Sequence, residues 1–452
     1  MPPLLHMTRT RIDLRPIFRR GVLLAASLGL VLLSGCSKVH QVFSLSGPQS
    51  TMVTGGPVAA RQWDLFMITV YVTTFIFVIV GGVLAYAQIK FRAKAHSTDA
   101  PPPPQGHGNP LVEIGLIVAS VGLLVIIAVP TLRDILYTYD VPEDEKGNAM
   151  EVVCTAYQWW FRFEYPSEMV QQPAGGESAL VVANELVIPV GVPVRVKLRT
   201  VDVIHSFWVP KLAGKVDMMP NRPNFLWFKA DHPGYFYGQC AEYCGESHAI
   251  MRFRVIAVSP AEYVKWLDNQ KLPARTLTAQ GTADTDVPHV GFASYPLKPG
   301  EALSGSPEFD ADPLAAWKKQ QEPEPAVDKD PALVAKGHQL FADKTCMNCH
   351  TIRGHVVMKN GQASPYGGIV GPDLTHVGAR STIAAGVLEN THERMHQWIT
   401  NPEYFKPGNK MYHGFGGMAG YMVPDADGKM VPNIILNDQE IDALVAYLHS
   451  LK

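Results

Sequence analysis

Two long segments without a charged residue constrain the fold of this chain most. They run from Leu65 to Ala87 and from Ile114 to Leu132, and as helices each is long enough to cross a hydrocarbon core of about 30 Å. The loop between them carries Lys90, Arg92 and Lys94, and basic residues favour the cytoplasmic side. The sequence therefore predicts a transmembrane hairpin over residues 58–137, with helices at about 65–87 and 114–132, and places everything after Leu132 outside the cytoplasm.

The N-terminus has the order of a secretory signal peptide, predicted over residues 1–35. Arginines come first, the apolar run Val22–Leu33 follows, and the run ends in Leu33-Ser34-Gly35-Cys36. These last four residues resemble a bacterial lipobox, which implies that Cys36 becomes the lipidated first residue. The alternative is an uncleaved third anchor, for which the apolar run is short.

Beyond the hairpin the sequence changes character three times. Residues 150–268 contain short β-rich runs separated by Pro and Gly turns, which predict a β-sandwich or barrel. Residues 271–330 are rich in Pro, Ala, Thr, Glu and Asp and are expected to be a linker. Helical periodicity returns at Pro331–Phe341 and Asp438–Leu451 and predicts a small third domain over residues 331–452. The expected fold class is thus a membrane-anchored multidomain protein.

Charge and cysteine content narrow the function. The formal net charge is −2 and the basic residues form no long stripe, so nucleic acid is not expected as a partner. The cysteines fall into a lipobox, two paired motifs and one solitary position, and they are Cys36, Cys154, Cys240, Cys244, Cys346 and Cys349. A disulfide framework is not expected. Cys154 lies in an apolar, strand-like run and is predicted to be a buried small hydrophobe.

One loop carries donors typical of copper. Cys240, Cys244, His248 and Met251 follow the spacing C-x-x-x-C-x-x-x-H-x-x-M, and His205 lies upstream. Thiolate, imidazole and thioether are soft or borderline donors, which suit copper better than a hard cation. Zinc is the alternative, but it has no use for the thioether and usually has another cysteine spacing. A mononuclear blue-copper site needs only one cysteine, so the second thiolate disfavours it.

At these residues the chain resembles the subunit II family of haem-copper cytochrome c oxidases. The resemblance lies in the segments His205-Ser206-Phe207-Trp208-Val209-Pro210 and Pro233-Gly234-Tyr235-Phe236-Tyr237-Gly238-Gln239-Cys240-Ala241-Glu242-Tyr243-Cys244-Gly245. It implies that residues 150–268 form a cupredoxin-like β-sandwich holding a dinuclear copper centre, CuA. Cys240 and Cys244 would bridge the two copper ions and His205 and His248 would each cap one. Met251 and the backbone carbonyl of Glu242 would be weak axial contacts.

The same resemblance suggests roles for residues outside the copper loop. Glu113 would match the glutamate that helps admit protons to subunit I, although Leu116 and Ser120 stand where the family usually has Trp and Pro; an ordinary interfacial carboxylate is the alternative. Within Tyr157-Gln158-Trp159-Trp160, Trp159 would receive electrons from cytochrome c. A core position is the alternative for Trp159 and the expectation for Trp160. Asp202, Asp217 and Arg222 fall where the family has polar residues facing subunit I.

A second redox motif lies in the C-terminal domain. Cys346-Met347-Asn348-Cys349-His350 is the attachment signature of haem c, with His350 as proximal ligand. A chance match, structural zinc and a thioredoxin-like motif are the alternatives. Lys406-Pro407-Gly408-Asn409-Lys410-Met411 resembles the loop that presents the axial Met of class I cytochromes c. This implies an all-α cytochrome c domain with Met411 as sixth ligand, and the other candidates are Met418, Met422, His376 and His413.

The resemblances imply a subunit II with a fused haem c domain, in a bacterial inner membrane with both redox domains on the periplasmic side. Electrons would pass from cytochrome c or another donor to the haem, to CuA and to subunit I, which reduces oxygen to water and pumps protons. Subunit I and subunit III are the expected partners. The rival interpretations are a nitric oxide reductase subunit with the same copper domain, and a copper carrier, assembly factor or redox sensor without a partner enzyme.

Overall fold

The computed structural model describes residues 47–92, 106–172, 175–275, 307–322, 330–359, 362–414, 417–418, 422–424, 427–432 and 434–452. The signal-peptide and lipobox predictions, including Cys36, lie outside the described residues.

Two long apolar helices form the N-terminal part of the described chain. They are α1 (Pro57–Lys90) and α2 (Pro110–Tyr139), each longer than predicted, and both have the length and composition to cross a membrane. The side chain of Asn109 caps α2 by accepting a hydrogen bond from the Leu111 amide. At the opposite end of α2, the Trp227 indole donates to the Tyr137 carbonyl over 3.0 Å. The hairpin is thereby fixed to the β-domain.

The β-domain is a two-sheet sandwich. Its strands are β1 (Met150–Tyr157), β2 (Trp160–Gln171), β3 (Glu177–Ala183), β4 (Glu185–Pro189), β5 (Val194–Thr200), β6 (His205–Phe207), β7 (Val216–Met218), β8 (Asn224–Phe228), β9 (Gly234–Gln239) and β10 (Arg252–Val258). One sheet has the order β3-β2-β1-β5-β8 and the other β4-β10-β9, and β6 pairs with β7. The β1–β5 and β4–β10 pairs are parallel, whereas β9 and β10 are antiparallel. This is the cupredoxin-like architecture that the resemblance implied.

Alternating burial along the strands builds the sandwich core. In β5, Val194, Val196 and Leu198 are buried while the residues between them are partly exposed, as the pleat of a strand requires. Cys154 on β1 is fully buried in this core, so its prediction as a small hydrophobe is confirmed. Helix α3 (Pro260–Lys271) follows β10 and begins with a capping box between Ser259 and Glu262.

Part of the segment expected to be a linker is helical. Helix α4 (Pro307–Gln320) buries Trp317 to 1% exposure, and the Trp317 indole donates to Glu185 Oε2 over 3.1 Å. Lys318 at its end pairs with Glu262 of α3 over 2.6 Å. A short helix with one large buried aromatic docks here, although the composition around it gave no periodic signal.

The C-terminal domain is built on two crossing helices, α5 (Pro331–Asp343) and α9 (Asp438–Ser450), which confirm the predicted pair. They approach closely at Gly337, where a Cβ atom would overlap the Ala443 carbonyl, so only glycine fits. Between them lie α6 (His392–Thr400), α7 (Pro402–Phe405) and α8 (Lys410–His413). The expected all-α domain also carries three hairpins, whose strands are β11 (Thr351–Lys359), β12 (Gln362–Gly367), β13 (Thr382–Ile383), β14 (Leu388–Glu389), β15 (Met422–Pro424) and β16 (Met430–Pro432).

Candidate copper and haem sites

The loop between β9 and β10 brings the predicted copper donors together. The antiparallel pairing of these strands fixes both ends of the loop, and the Cys240 amide closes it by donating to the Met251 carbonyl over 2.9 Å. The Gln158 and Trp159 side chains both donate to the Cys244 carbonyl, over 2.8 and 3.0 Å. The loop is therefore held by its own strands and by the β1–β2 turn.

The donor atoms surround the two cysteine sulfurs on both sides. Cys240 Sγ lies 3.7 Å from Cys244 Sγ and 3.9 Å from His205 Nδ1. Cys244 Sγ lies 3.6 Å from His248 Nδ1 and 3.8 Å from Met251 Sδ. The carbonyl oxygen of Glu242 is 3.2 Å from Cys240 Sγ. Each sulfur thus has one imidazole beside it and one weaker donor, so all six predicted copper-site residues converge.

The sulfur separation fits a shared metal. It is far longer than the 2.05 Å or so of a disulfide, and both cysteines are free. Two sulfurs bound tetrahedrally to one ion at about 2.3 Å would lie about 3.8 Å apart, close to the 3.7 Å observed. Because the thioether of Met251 belongs to the same cluster, the donor chemistry fits copper better than zinc.

Electrostatics in the site favour a charged cluster. A hydrogen bond from the Cys244 thiol lowers the pKa of Cys240, and the same interaction raises the pKa of Cys244. Both cysteines would have to be deprotonated to bind a metal, so binding would release protons. Burial would lower the pKa of His205, but the Asp202 carboxylate and Cys240 outweigh burial and raise that pKa.

Asp202 orients His205. Its Oδ1 lies 2.8 Å from His205 Nε2, and because a carboxylate only accepts, Nε2 carries the proton and Nδ1 is left as a donor atom toward Cys240. Burial would raise the pKa of Asp202, but hydrogen bonds from His205 and from the Gln158 and Val203 amides hold it well below its ordinary value. Sequence reasoning placed Asp202 at the subunit I face and missed this role, although the three-residue spacing to His205 was visible.

The two adjacent tryptophans differ in burial, and Trp159 is the more deeply buried of the two. Trp159 is 7% exposed, and Gly408 of the C-terminal domain lies against its ring. Trp160, expected in the core, is half-buried and stacks on Tyr157 with a centroid distance of 4.5 Å. The core expectation for Trp160 is wrong because its side chain starts β2 on the outer face, whereas Trp159 turns inward over the copper loop.

The predicted haem motif forms a tight turn after α5. Cys346, Met347 and Asn348 make one helical turn, and the His350 amide donates to the Cys346 carbonyl over 3.1 Å. His350 Nδ1 lies 2.8 Å from the Pro372 carbonyl oxygen. A carbonyl only accepts, so Nδ1 carries the proton and Nε2 is free to bind iron, while burial lowers the pKa of His350 and keeps the ring neutral. These features fit a proximal haem ligand, with Cys346 and Cys349 both free.

The candidates for the sixth ligand differ in their surroundings. Met411 lies in α8, whose first turn is capped by Asn409. His376 Nε2 faces the Leu272 carbonyl at 3.1 Å, and His413 Nε2 lies 2.9 Å from Glu403 Oε2. Both histidines are therefore engaged elsewhere. The Met418 amide donates to the Met411 carbonyl over 2.9 Å, and nothing is described of the Met422 side chain.

The remaining predicted residues are not among the donors of either site, although Asp217 pairs with Ser206, the neighbour of His205. Glu113 is exposed in the first turn of α2, at the end of the hairpin opposite Tyr137 and the β-domain. Asp217 on β7 is half-exposed and Arg222 is exposed in the turn before β8. Sequence reasoning also missed Lys406, which is buried to 4% exposure against the copper loop; its only signal was a charge between Phe405 and Pro407.

Sequence comparisons agree with this architecture. Residues 150–258 match the family described as cytochrome c oxidase subunit II, periplasmic domain, and residues 334–452 match cytochrome c. The fold and sites define a membrane-anchored electron-transfer subunit that joins a cupredoxin-like domain to a cytochrome c domain.

Curated relatives identify the family. Cytochrome c oxidase subunit 2 of Alkalihalophilus pseudofirmus is 30% identical over 399 residues, covering 88% of this chain and 89% of the relative. The Bacillus subtilis protein of that name is 28% identical, covering 96% and 98%. Quinol oxidase subunit 2 of Bacillus cereus is 33% identical, covering 58% of this chain and 84% of the relative. The chain belongs to the cytochrome c oxidase subunit 2 family and has an electron-transfer role in a haem-copper oxidase.

One solved structure is similar to part of this chain. The periplasmic domain of subunit II of cytochrome oxidase from Bradyrhizobium japonicum is 34% identical, with a TM-score of 0.24, and it covers 27% of this chain and 93% of that chain.

Proposed function

We propose that this chain takes electrons from an external donor at a covalently bound haem c and passes them, through a dinuclear CuA centre, to subunit I of a proton-pumping oxidase that reduces oxygen to water. The chain would lie in a bacterial inner membrane with both redox domains on the periplasmic side. Subunit I and subunit III would be its partners. The proposal rests above all on the paired sulfurs of Cys240 and Cys244, flanked by one imidazole each.

The copper site residues have distinct tasks in this proposal. Two bound copper ions would share one unpaired electron, so that little would change in bond lengths when it arrives. Cys240, Cys244, His205 and His248 would hold the copper. Met251 and the Glu242 carbonyl would complete the two ends. Because Gln158, Trp159 and the β9–β10 pair hold the loop rigidly, the donors need not move.

The haem site residues hold and orient their group. A haem attached through Cys346 and Cys349 would exchange one electron, at a potential raised by a thioether ligand relative to a second imidazole. The Pro372 carbonyl fixes the tautomer and ring plane of His350, and we assign Met411 as the opposite ligand.

At the far end of the hairpin, Glu113 would help admit protons to subunit I. An ionisable side chain in the first turn of a membrane helix is a candidate for a place on a proton pathway. Lipidation of Cys36 would add a second attachment to the membrane.

Electron paramagnetic resonance of the copper-loaded full chain tests the proposed copper centre. Two equivalent copper nuclei sharing one electron should give a hyperfine pattern with seven lines, because both nuclear spins couple equally. A four-line pattern from a single nucleus would contradict the dinuclear assignment. Copper-to-protein ratios measured on the same sample provide an independent count.

Replacing Met411 tests the haem ligand. We expect Met411→Ala to remove the sulfur-to-iron charge-transfer band while covalent haem persists, because Cys346 and Cys349 are untouched. The measurement is the visible spectrum of the oxidised chain, with Met418→Ala as the matched control that keeps the band. Survival of the band in Met411→Ala would assign the ligand to another residue.

A further inference from the structure

Within the described part of the chain, the cytochrome domain contacts the copper loop through a short segment, residues 406–410, here called the docking segment. Ser247 Oγ in the copper loop donates to the Pro407 carbonyl over 2.7 Å. Lys406 Nζ donates to the Trp159 carbonyl over 2.7 Å and to the Ile250 carbonyl over 3.2 Å. The docking segment therefore joins the β1–β2 turn and the copper loop from a domain more than 150 residues away in sequence.

Lys406 is an unusual residue for such an interface. Its side chain is 4% exposed, and its ammonium group is satisfied by backbone carbonyls of the other domain. Burial lowers its pKa to about 7. Burying an ammonium costs free energy that an apolar side chain of the same volume would not. The ammonium instead makes the contact specific, because it must donate to two backbone carbonyls at fixed positions. Buried charged groups of this kind specify how two elements align.

The docking segment also covers Trp159. Gly408 has a φ of +73°, and a Cβ atom there would lie 3.0 Å from the Trp159 ring and overlap Glu246. Only glycine allows the backbone to approach the indole this closely. Because the Trp159 indole donates to the Cys244 carbonyl, it lies between the copper loop and the segment that leads to Met411. The face of Trp159 is internal and is not open to a separate protein.

A second contact holds the domains together independently of Lys406. Glu185 Oε1 on β4 accepts hydrogen bonds from the Ser381 amide over 2.9 Å and the Thr382 amide over 3.1 Å. Arg254 on β10 donates to the Gly386 carbonyl over 3.0 Å. Losing Lys406 should therefore loosen the docking segment without separating the two domains.

We propose that Lys406 is a positioning residue for electron transfer between the two redox domains. Its ammonium holds Trp159 and the copper loop against the segment that carries Met411, and this contact closes the Trp159 face to separate cytochromes. External donors then reduce the chain only at the haem. The step that Lys406 serves moves one electron from reduced haem to the oxidised copper pair, without a proton. This inference rests on the proposed function and adds to it a residue and a restriction on the donor.

The test compares Lys406→Met with Lys336→Met in the full chain loaded with copper and haem. Methionine keeps the length of the stem but cannot donate, and Lys336 is an exposed lysine on α5 that makes a matched control. One electron is injected at the haem by a laser flash and its arrival at copper is followed by absorbance. We expect transfer in Lys406→Met to be at least about tenfold slower, because two charge-assisted hydrogen bonds are lost. Lys336→Met should be unchanged.

Further readouts separate positioning from folding. Lys406→Met should retain the copper resonance and the haem charge-transfer band, and added soluble cytochrome c should reduce its copper directly. Unchanged transfer between the domains, or loss of the copper resonance, would overturn the assignment.

Hydroxyl-radical footprinting of the unmodified chain needs neither cofactor. Trp159 should be protected, and labelling of Trp159 as strong as that of exposed Tyr243 would also overturn the assignment. Absence of a two-copper signal in the unmodified chain would instead contradict the proposed function.

Discussion

Replacing Cys244 by serine should abolish the two-nucleus copper signal and slow electron transfer out of the haem by at least about 100-fold. Cys244 Sγ lies within 4 Å of Cys240 Sγ, His248 Nδ1 and Met251 Sδ, so it connects the His248 and Met251 end of the site to Cys240. A serine hydroxyl is a harder and much less acidic donor that does not replace a bridging thiolate for copper. We expect a larger effect than the roughly 10–100-fold loss of metal affinity or activity that follows mutation of a residue behind a metal ligand, because Cys244 would be a direct ligand.

Resonance spectra and copper-to-protein ratios of the loaded full chain provide the measurement. Cys154→Ala is the matched control, since Cys154 lies within β1, paired with Phe163 and Leu198, and is not one of the candidate donors; it should keep the two-nucleus pattern. A two-nucleus pattern in Cys244→Ser would refute the bridging role.

The convergence of the candidate copper donors could be predicted from sequence because four of them share one loop. Cys240, Cys244, His248 and Met251 lie within twelve residues, and the β9–β10 pair closes this loop at both ends, which keeps the four residues near one another. His205 comes from a different strand, and only the family resemblance connected it to the loop. The transmembrane helices were equally accessible, because uninterrupted apolar length depends on local composition alone.

The contacts between the domains could not be predicted. Lys406 and Trp159 are 247 residues apart, and no local sequence pattern predicts to which carbonyls a buried lysine will donate. Helix α4 was missed for a related reason, since the Trp317 indole donates to Glu185, 132 residues away in sequence. Trp159 and Trp160 are adjacent, and their different burial follows from the geometry of the β1–β2 turn.

Replacing Asp202 by asparagine should lower copper affinity about 10–100-fold, the range typical of partners behind a metal ligand. Asp202 Oδ1 accepts from His205 Nε2 over 2.8 Å, and Oδ2 accepts from the Gln158 amide over 2.8 Å. An asparagine has one acceptor and one donor group where the carboxylate has two acceptors. If its side-chain oxygen faces His205, its amino group faces the Gln158 N–H. Two donors then face each other, and the β1–β2 turn beside Trp159 is disturbed.

If the asparagine is reversed, its amino group faces His205 Nε2, which must then accept. The proton moves to Nδ1, and this nitrogen, 3.9 Å from Cys240 Sγ in the unmodified chain, ceases to be a copper donor. Either orientation therefore weakens the site. Titration of the full chain against a copper chelator measures the affinity, with Asp268→Asn as the matched control because Asp268 is an exposed carboxylate on α3. Equal affinities in the two variants would mean that the carboxylate does not fix the tautomer of His205.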